Sequence, residues 1–464
     1  MTQLLSSPNA LKQPKVFQRL QWVLDPIGYM EGAAKLHPDL FTAEVVGIGA
    51  DLVFVSDPQA MQVMLSNDRK LYKALGEPNK FLATLLGNYS IVMLDHDRHK
   101  RRRQLLMPPF HGDRMKAYGS LIANLTRSIF DQLAIGDSFS ARKLTQELSL
   151  QVILQAVFGV TDGDRAAQLK TQLVRVADTF QSPLSSSLLF FPALQKDWGP
   201  WSPWGHFRQQ QQHLDELIYA EIRDRREQPD GDRIDILSLL MTATDDTGQP
   251  MTDQELRDEL TTLMFAGHET TATAMAWALY WIHHQPEVRE KLLQELQTVD
   301  VTDPMTVVRS PYLSAVCNET LRIHPVGMLT FPRVVQEPTE LLGYPLAPGT
   351  TLVGCIYLTH QREDLYPNPK EFRPERFLER QFSPYEFLPF GAGVRRCIGE
   401  ALAQFELKLA LATILRHYTL ELATTRPEIP RRRGITLAPT HGVPMVMQGR
   451  LAPQAIAQMS GTLV

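Results

Sequence analysis

A single long apolar helix constrains the fold of this chain more than any other feature of its sequence. Thr252 and Glu255 have the spacing of a capping box at a helix N-terminus, and the helical pattern continues to His284. About 33 residues at a rise of roughly 1.5 Å each predict a helix of about 50 Å, enough to cross a whole domain. Between Leu260 and His284 the only formally charged side chain is Glu269, so we expect this helix to be buried on all sides.

The middle of this helix, LMFAGHETTATAM, combines that lone carboxylate with poor helix formers. His268 and Glu269 begin a zinc-protease signature, but the position of its second histidine is occupied by Ala272. Gly267 and Thr270 are weak helix formers, and a threonine hydroxyl can bond back to a carbonyl and bend a helix. The pattern predicts a local widening beside a functional site; a purely structural turn is the alternative.

Length and composition exclude several classes of protein. The chain has 464 residues, 44% of them apolar, and a net charge of −4, so a large core is expected and no basic field favours nucleic acid. Neither a signal peptide nor an apolar run long enough to span a membrane is recognisable. Cys317, Cys355 and Cys397 are too widely spaced for a disulfide framework, which is typical of a reducing compartment. We therefore expect a cytoplasmic protein.

The remaining patterns predict one mainly helical domain over 1–464 with minor β structure. Alternating apolar residues over 41–58 predict a hairpin, and helical spacing prevails over 57–325. Short strands such as TTLVGCIYL are expected after residue 330, and a last helix over 397–418.

The interval 182–207 is rich in Pro, Ser and Trp. It predicts an irregular connection with an exposed apolar surface, which would act as a lid or as a peripheral membrane contact. A loop whose tryptophans fill a local cluster is the alternative.

Cys397 follows a loop that contains Gly391 and Gly393, at the predicted start of the last helix. A helix N-terminus lowers the pKa of a thiol, and the neighbouring Arg395 and Arg396 add positive charge. A thiolate held in this way is a nucleophile or a metal ligand.

The spacing around this cysteine resembles the haem-binding signature of the cytochrome P450 family, which Phe390, Gly393, Arg395, Cys397 and Gly399 match position by position. Three further blocks are similar to family motifs and occur in the family's order: AGHETT from Ala266, ETLR from Glu319 and PERF from Pro374. His99 and Arg103 resemble residues of an earlier helix that holds haem propionates.

The resemblance implies a cytochrome P450 fold around haem b, with Cys397 as the axial ligand of iron and Phe390 packed near its sulfur. A thiolate ligand donates electron density that favours cleavage of dioxygen. The haem propionates would be held by four cationic side chains: His99, Arg103, Arg333 and Arg395.

The other motifs imply two further roles. Glu319, Arg322 and Arg376 would form a buried network that serves folding and haem loading. Thr270 and Glu269 would manage proton delivery during oxygen activation, with Gly267 opening space beside them. His268 has no evident role.

The implied activity is a monooxygenase that uses O2 and receives electrons from a separate protein, expected to be a ferredoxin served by an NAD(P)H-dependent reductase. A basic patch of Lys100, Arg101, Arg102 and Arg396 would dock that protein; a solvated face is the alternative. A non-oxygenating haem-thiolate isomerase or peroxygenase, and a haem-binding sensor, are the rival functions.

The candidate pocket residues are apolar and indicate a lipophilic substrate, a long-chain fatty acid before a terpenoid. They are Phe81, Leu85, Leu86, Leu263, Ala266, Met328, Leu329 and Phe331.

Overall fold

The computed structural model places most of the chain in helices. It describes residues 8–45, 52–67, 70–74, 80–110, 114–159, 163–179, 195–228, 233, 235–244, 248–300 and 303–451. The described helices, numbered in chain order, are α1 (Lys15–Leu24), α2 (Pro26–Leu36), α3 (Pro58–Ser66), α4 (Lys80–Leu86), α5 (His96–Leu106), α6 (Arg114–Phe130), α7 (Ala141–Phe158), α8 (Asp164–Asp178), α9 (Pro203–Glu227), α10 (Ile236–Thr242), α11 (Asp253–His284), α12 (Pro286–Thr298), α13 (Pro304–Val308), α14 (Pro311–Ile323), α15 (Ile356–His360), α16 (Arg376–Glu379) and α17 (Glu400–His417).

The described strands are short and form four small sheets. They are β1 (Leu40–Ala43), β2 (Leu52–Val55), β3 (Tyr72–Lys73), β4 (Ser138–Ser140), β5 (Arg333–Val335), β6 (Thr339–Leu341), β7 (Tyr344–Leu346), β8 (Thr351–Gly354), β9 (Tyr418–Leu422), β10 (Pro430–Arg433), β11 (Thr436–Pro439) and β12 (Pro444–Arg450). The largest sheet has the order β1-β2-β8-β5-β3; the others are β4-β12-β9, β10-β11 and β6-β7. The prediction of a mainly helical chain with minor β structure is confirmed.

The five-stranded sheet joins an N-terminal segment to a distant later segment of the chain, because β2 pairs in parallel with β8 and antiparallel with β1. Its side chains alternate between two apolar clusters, as the two-residue period of a strand requires. Phe41, Phe54 and Val353 belong to the cluster that contains α1 and α2, whereas Val53 and Leu352 belong to the cluster that contains α3. Both faces of this sheet are therefore buried, and the predicted hairpin over 41–58 is confirmed as the pair β1-β2.

The predicted long helix is α11, which begins and ends where the sequence indicated. It has 32 residues and a complete capping box between Thr252 and Glu255. It packs against α7, α9, α14 and α17, and also against β11, so it passes through the largest apolar cluster. Helices that are far apart in the sequence therefore meet along α11.

Three boundaries differ from the predictions. The last helix begins at Glu400 rather than at Cys397, because the cysteine belongs to the preceding loop. The run TTLVGCIYL changes after Gly354 from strand into the helix α15. Within 182–207, residues 182–194 lie outside the described residues, and α9 already begins at Pro203.

The described part of 182–207 combines the predicted exposed apolar surface with the alternative, a tryptophan that fills a cluster. Trp198 and Trp201 are exposed on the connection that precedes α9, whereas Trp204 is buried in the main cluster. Among the described residues, no helix is long and apolar enough to cross a membrane.

Candidate functional site

The cysteine loop, residues 390–399, is held in a defined conformation before α17. Gly391 and Gly393 adopt positive φ angles of 69° and 68°, which favour glycine. A Cβ at Gly393 would also collide with the carbonyl oxygen of Leu65. The backbone N–H of Cys397 donates to the carbonyl of Phe390 at 2.9 Å. The glycine spacing of the motif therefore sets the backbone path that presents Cys397.

Cys397 differs from the two other cysteines in its exposure. Cys317 and Cys355 are buried and Cys397 is exposed, and burial raises the pKa of both buried thiols to about 12. Although Cys397 is exposed as a residue, many protein atoms surround its thiol, and this desolvation raises the pKa of the thiol above the ordinary value. The backbone N–H of Gly399 and the charge of Arg103 act in the opposite direction without reversing the shift.

The predicted lowering of the Cys397 pKa by a helix N-terminus and by Arg395 and Arg396 is therefore not found. The last helix begins three residues later than predicted, and the dominant influence on the thiol is desolvation. A bound metal ion would supply the missing positive charge, because a coordinating thiol is deprotonated outright. The environment of Cys397 consequently suits a metal ligand better than a free nucleophile.

The predicted cationic side chains come from three separated parts of the chain. His99 and Arg103 lie one turn apart on α5, Arg333 begins β5, and Arg395 lies in the short 3-10 turn before Cys397. His99 and Arg333 are buried. Because anionic groups are stabilised by such partners, this donor set fits a group that combines iron with carboxylates.

Direct contacts fasten α5 to the cysteine loop. The guanidinium of Arg103 donates to the carbonyl of Arg396 at 2.5 Å, and that of Arg395 donates to the carbonyl of Ile91 at 3.4 Å, just before α5. Burial lowers the pKa of Arg103, while the charge of an ionised Cys397 acts in the opposite direction. Such a desolvated cation near the thiol suits an anionic partner, and the residues present therefore fit haem with its two propionates.

Thr270 lies at the centre of α11 and is half-buried. Its hydroxyl donates to the carbonyl of Ala266 at 2.5 Å, which is the back-bonding geometry expected of a helical threonine. The helix is continuous from Asp253 to His284, so the predicted widening is absent. With its proton committed to Ala266, the Thr270 oxygen retains lone pairs that can accept a hydrogen bond.

Glu269 has two partners on α7 that were not predicted from the sequence. Its carboxylate forms an ion pair with Arg142 and accepts a hydrogen bond from the Gln146 side-chain amide at 2.7 Å. These two partners offset the desolvation energy of a carboxylate on an otherwise apolar helix. Arg142 and Gln146 have i, i+4 spacing on α7, but Lys143 and Glu147 share that spacing, so the sequence contains no specific signal for this pairing.

Gly267 also faces α7 rather than opening space beside Thr270. A Cβ at Gly267 would lie 2.9 Å from the Ile153 side chain. The prediction that Gly267 opens space beside Thr270 is therefore wrong. The hydroxyl of Ser149 donates to the Gly267 carbonyl at 3.3 Å. The glycine therefore allows the close approach of α7 and α11.

His268 is buried, and its Nε2 atom has no hydrogen-bond partner in the described structure. Burial lowers the pKa of this histidine, so it is neutral at pH 7. No group of three or more His, Cys, Asp or Glu side chains in the described ranges could hold a metal ion. The interpretation of His268 and Glu269 as part of a zinc-protease site therefore has no support.

Glu319, Arg322 and Arg376 form a buried network. The Arg322 guanidinium donates to both carboxylate oxygens of Glu319 at 2.6 and 2.8 Å, and Nε of Arg376 donates to the same carboxylate at 3.0 Å. The backbone N–H of Arg373 adds a fourth bond at 2.8 Å. The network joins α14 to α16, as its predicted structural role requires.

The predicted basic patch is smaller than expected. Arg102 is buried and donates to Glu259 at 2.7 Å and to Glu255 at 2.6 Å on α11, so it cannot belong to a docking surface. Arg396 is paired with Glu400. Of the four predicted members, Lys100 and Arg101 are those for which no such pairing is found in the described structure.

The predicted pocket residues fall into two groups. Leu86 and Leu263 are buried and Leu85 is partly buried at the main cluster, whereas Ala266 is exposed. Met328 belongs to the cluster beneath the five-stranded sheet, and Leu329 packs against it. Leu263 and Met328 thus belong to two different apolar clusters. The side chain of Phe81 lies outside the described residues, and Phe331 is exposed.

Comparisons with known proteins agree with this arrangement. The cytochrome P450 family model matches residues 29–444. Cytochrome P450 135B1 of Mycobacterium bovis is 36% identical over 415 residues, covering 89% of this chain and 85% of that protein. Cytochrome P450 135A1 of Mycobacterium tuberculosis is 33% identical and covers 96% and 95%.

Two solved structures share the fold at 21% identity. Cyanobacterial CYP120A1 bound to retinoic acid has a TM-score of 0.81 and covers 93% of this chain and 96% of its own. The haem domain of cytochrome P450DA has a TM-score of 0.83 and covers 96% and 98%. With a family match across most of its length and relatives that are similar from end to end, this chain belongs to the cytochrome P450 family and is a haem-thiolate monooxygenase that uses O2, a redox partner and a lipophilic substrate.

Proposed function

We propose that this chain, acting as a single domain, hydroxylates a long-chain fatty acid, with Cys397 as the ligand of haem b. The observation that carries the proposal is the exposed Cys397 in a loop fastened by Arg103 to α5. Haem b, when bound, supplies the iron centre at which dioxygen is activated. His99, Arg103, Arg333 and Arg395 would hold its propionates, and Phe390 would cover the sulfur.

Thr270 is proposed to hold a water molecule for proton delivery. Its hydroxyl proton is committed to Ala266, so its oxygen accepts from water and orients it. Such an acceptor restricts water to one position while keeping a proton source, as oxygen activation requires.

Replacement of Thr270 by alanine tests this role. We expect Thr270→Ala to retain haem and substrate affinity while the fraction of NAD(P)H that yields hydroxylated product falls at least about tenfold, because positioned proton donors contribute about 10²–10⁴-fold and free water replaces them only partly. Reducing equivalents would appear as peroxide or water, measured with product in the same assay. Thr270→Ser, which keeps the hydroxyl, should remain coupled. Fully coupled hydroxylation by the alanine variant would contradict the proposal.

Glu269 is proposed to relay protons toward Thr270 from a carboxylate held by Arg142 and Gln146. The side chain of Glu269 is 24% exposed, so water can reach its carboxylate. A carboxylate that is fastened yet accessible can exchange protons without moving far.

For Glu269→Gln we expect the rate of product formation to fall about 10²-fold, the lower end of the range for a positioned proton-transfer group. The solvent deuterium isotope effect on that rate should increase, because proton transfer becomes rate-limiting. If Glu269 only joins α7 to α11, the variant will lose thermal stability while its rate and isotope effect stay unchanged. Gln146→Leu, which removes the neutral partner and keeps the carboxylate, is the matched control and should retain the isotope effect.

The substrate preference rests on apolar side chains near the centre of α11. Leu85 and Leu263 contribute to the apolar surroundings, and the exposed Ala266 lies one turn before Thr270. A terpenoid is the second candidate, and the retinoic acid of the cyanobacterial neighbour has both an isoprenoid skeleton and a carboxylate. Titrations of the haem absorption spectrum with both classes distinguish them.

The proposed electron donor is a ferredoxin served by an NAD(P)H-dependent reductase. Lys100 and Arg101 project from α5, which is fastened to the cysteine loop by Arg103. An acidic protein that docks there would be close to the haem ligand, and complementary charge would steer it.

Peripheral contact with a membrane is proposed for two exposed apolar surfaces. Trp198 and Trp201 are 73% and 89% exposed, and α1 exposes Phe17, Leu20 and Leu24 along one face. Exposed aromatic and aliphatic side chains of this kind partition into the interfacial region of a bilayer. Such contact would give access to a lipophilic substrate.

A further inference from the structure

The β10-β11 hairpin lies between α11 and the segment that follows α14. The indole N–H of Trp277 on α11 donates to the carbonyl of Leu437 at 3.0 Å. The backbone N–H of Leu437 donates to the carbonyl of Val326 at 2.9 Å, and Thr436 forms a bridge with Gly327. The turn of this hairpin, Arg433 to Thr436, is therefore fixed between α11 and the segment that precedes Met328.

Arg433, at the start of this turn, is a half-buried cation. Its Nε atom is buried without a hydrogen-bond partner in the described structure, as is Nε of Arg142. Burial lowers the pKa of Arg433, and the charge of Arg142 lowers it further. A desolvated guanidinium with unused donors is costly unless an anion binds it.

The nearby carboxylates are already engaged by other groups. Glu269 is bound by Arg142 and by Gln146. Glu428 accepts from the backbone N–H groups of His441 and Val443 at 3.0 and 2.9 Å. Neither carboxylate therefore compensates Arg433 fully.

The local charge balance is positive. The charged groups with the largest influence on Arg433 are Arg142, Glu269, Arg431 and Glu428. With Arg433 itself, three cations face two anions, although the whole chain has a net charge of −4. This excess of one positive charge lies beside the helix that carries Thr270.

We propose that Arg433 binds the carboxylate of an amphiphilic substrate at the edge of the oxygenation site. A guanidinium binds a carboxylate through two parallel hydrogen bonds. Ile435, two residues further along the turn, is 58% exposed and offers an apolar contact to the hydrocarbon next to that carboxylate. This inference rests on the proposed function, because it specifies the anchored end of the proposed fatty acid.

The test compares ligands that differ only in their polar end. The haem-loaded protein is titrated with a long-chain fatty acid, with the primary alcohol of equal length and with the methyl ester of the acid, monitoring the haem absorption spectrum and, independently, the binding heat. Arg433→Gln should weaken binding of the acid at least about tenfold, because charge-assisted bonds are the strong ones, and should leave alcohol and ester within about twofold. Arg426→Gln, which removes an exposed charge before the same hairpin that is not among the charges counted above, is the matched control and should bind all three like the unmodified protein.

The possible outcomes distinguish this inference from the proposed function. Undiminished binding of the acid by Arg433→Gln overturns the carboxylate role of Arg433. Equal losses for acid, alcohol and ester overturn it too, because they indicate that Arg433 supports the fold of the hairpin. If the unmodified protein hydroxylates neutral terpenoids but does not bind the acid, both the Arg433 inference and the fatty-acid preference fail, while the monooxygenase activity stands.

Discussion

Cys397→Ser is expected to abolish hydroxylation and to remove the spectral signature of thiolate ligation. The serine hydroxyl has the same shape but does not donate electron density as a thiolate does. Neither Cys317 nor Cys355 is expected to supply another thiolate, because both are buried. The measurement is haem content, absorption spectrum and product formation of the purified variant, compared with the unmodified protein.

Cys317→Ala is the matched control for this substitution. Cys317 is buried in the main cluster with α14, so its loss creates a small cavity and lowers the free energy of unfolding by about 1 kcal/mol. The thiolate spectrum should be unchanged. A Cys397→Ser variant that keeps the thiolate spectrum would refute the assignment of the ligand.

Glu319→Gln is expected to cause the second-largest effect, on folding and haem loading. The Glu319 carboxylate accepts from Arg322, from Arg376 and from a backbone N–H group. Glutamine would leave two buried guanidinium groups without a counter-charge, and removal of one partner from a buried ion pair costs about 3–5 kcal/mol. This loss is a large part of the stability of a typical folded protein.

The expected result for Glu319→Gln is a low yield of folded protein and a deficit of haem, measured as the ratio of haem to protein and as the rate of thermal inactivation. Glu379→Gln is the control, since its carboxylate pairs with Arg373 at the surface. An exposed pair contributes about 0–1 kcal/mol, so this control should load haem normally. Normal folding and haem content of Glu319→Gln would show that the network is dispensable.

The sequence predicted those features that depend on short-range spacing. The capping box at Thr252 and Glu255 forms as expected, because its partners are three residues apart. The buried pairing of Glu319 with Arg322 depends on one helical turn and was assigned through a family motif. The path of the cysteine loop likewise depends on Gly391 and Gly393, which lie a few residues from Cys397.

The sequence could not predict which distant side chains meet. Glu269 and Arg142 are 127 residues apart, and their pairing is determined by the packing of α7 on α11. Arg102 has the appearance of a surface cation, yet tertiary packing buries it against Glu259. The thiol pKa of Cys397 was predicted from local charge, but desolvation by the whole surrounding fold outweighs that charge.

The pocket was the least predictable part, because apolar residues fill a core as readily as they line a site. Met328 supports the sheet cluster, and composition alone does not distinguish that role from substrate contact. Arg433 was overlooked because nothing in RRRGITL indicates which arginine faces α11.

The most direct test of haem-thiolate chemistry at Cys397 is the absorption spectrum of the reduced, carbon-monoxide-bound protein. We predict a strongly red-shifted Soret band in the unmodified protein and its absence in Cys397→Ser, because thiolate ligation alters the electronic structure of haem iron. A haem-loaded, folded protein without the red-shifted band would contradict the assignment of Cys397.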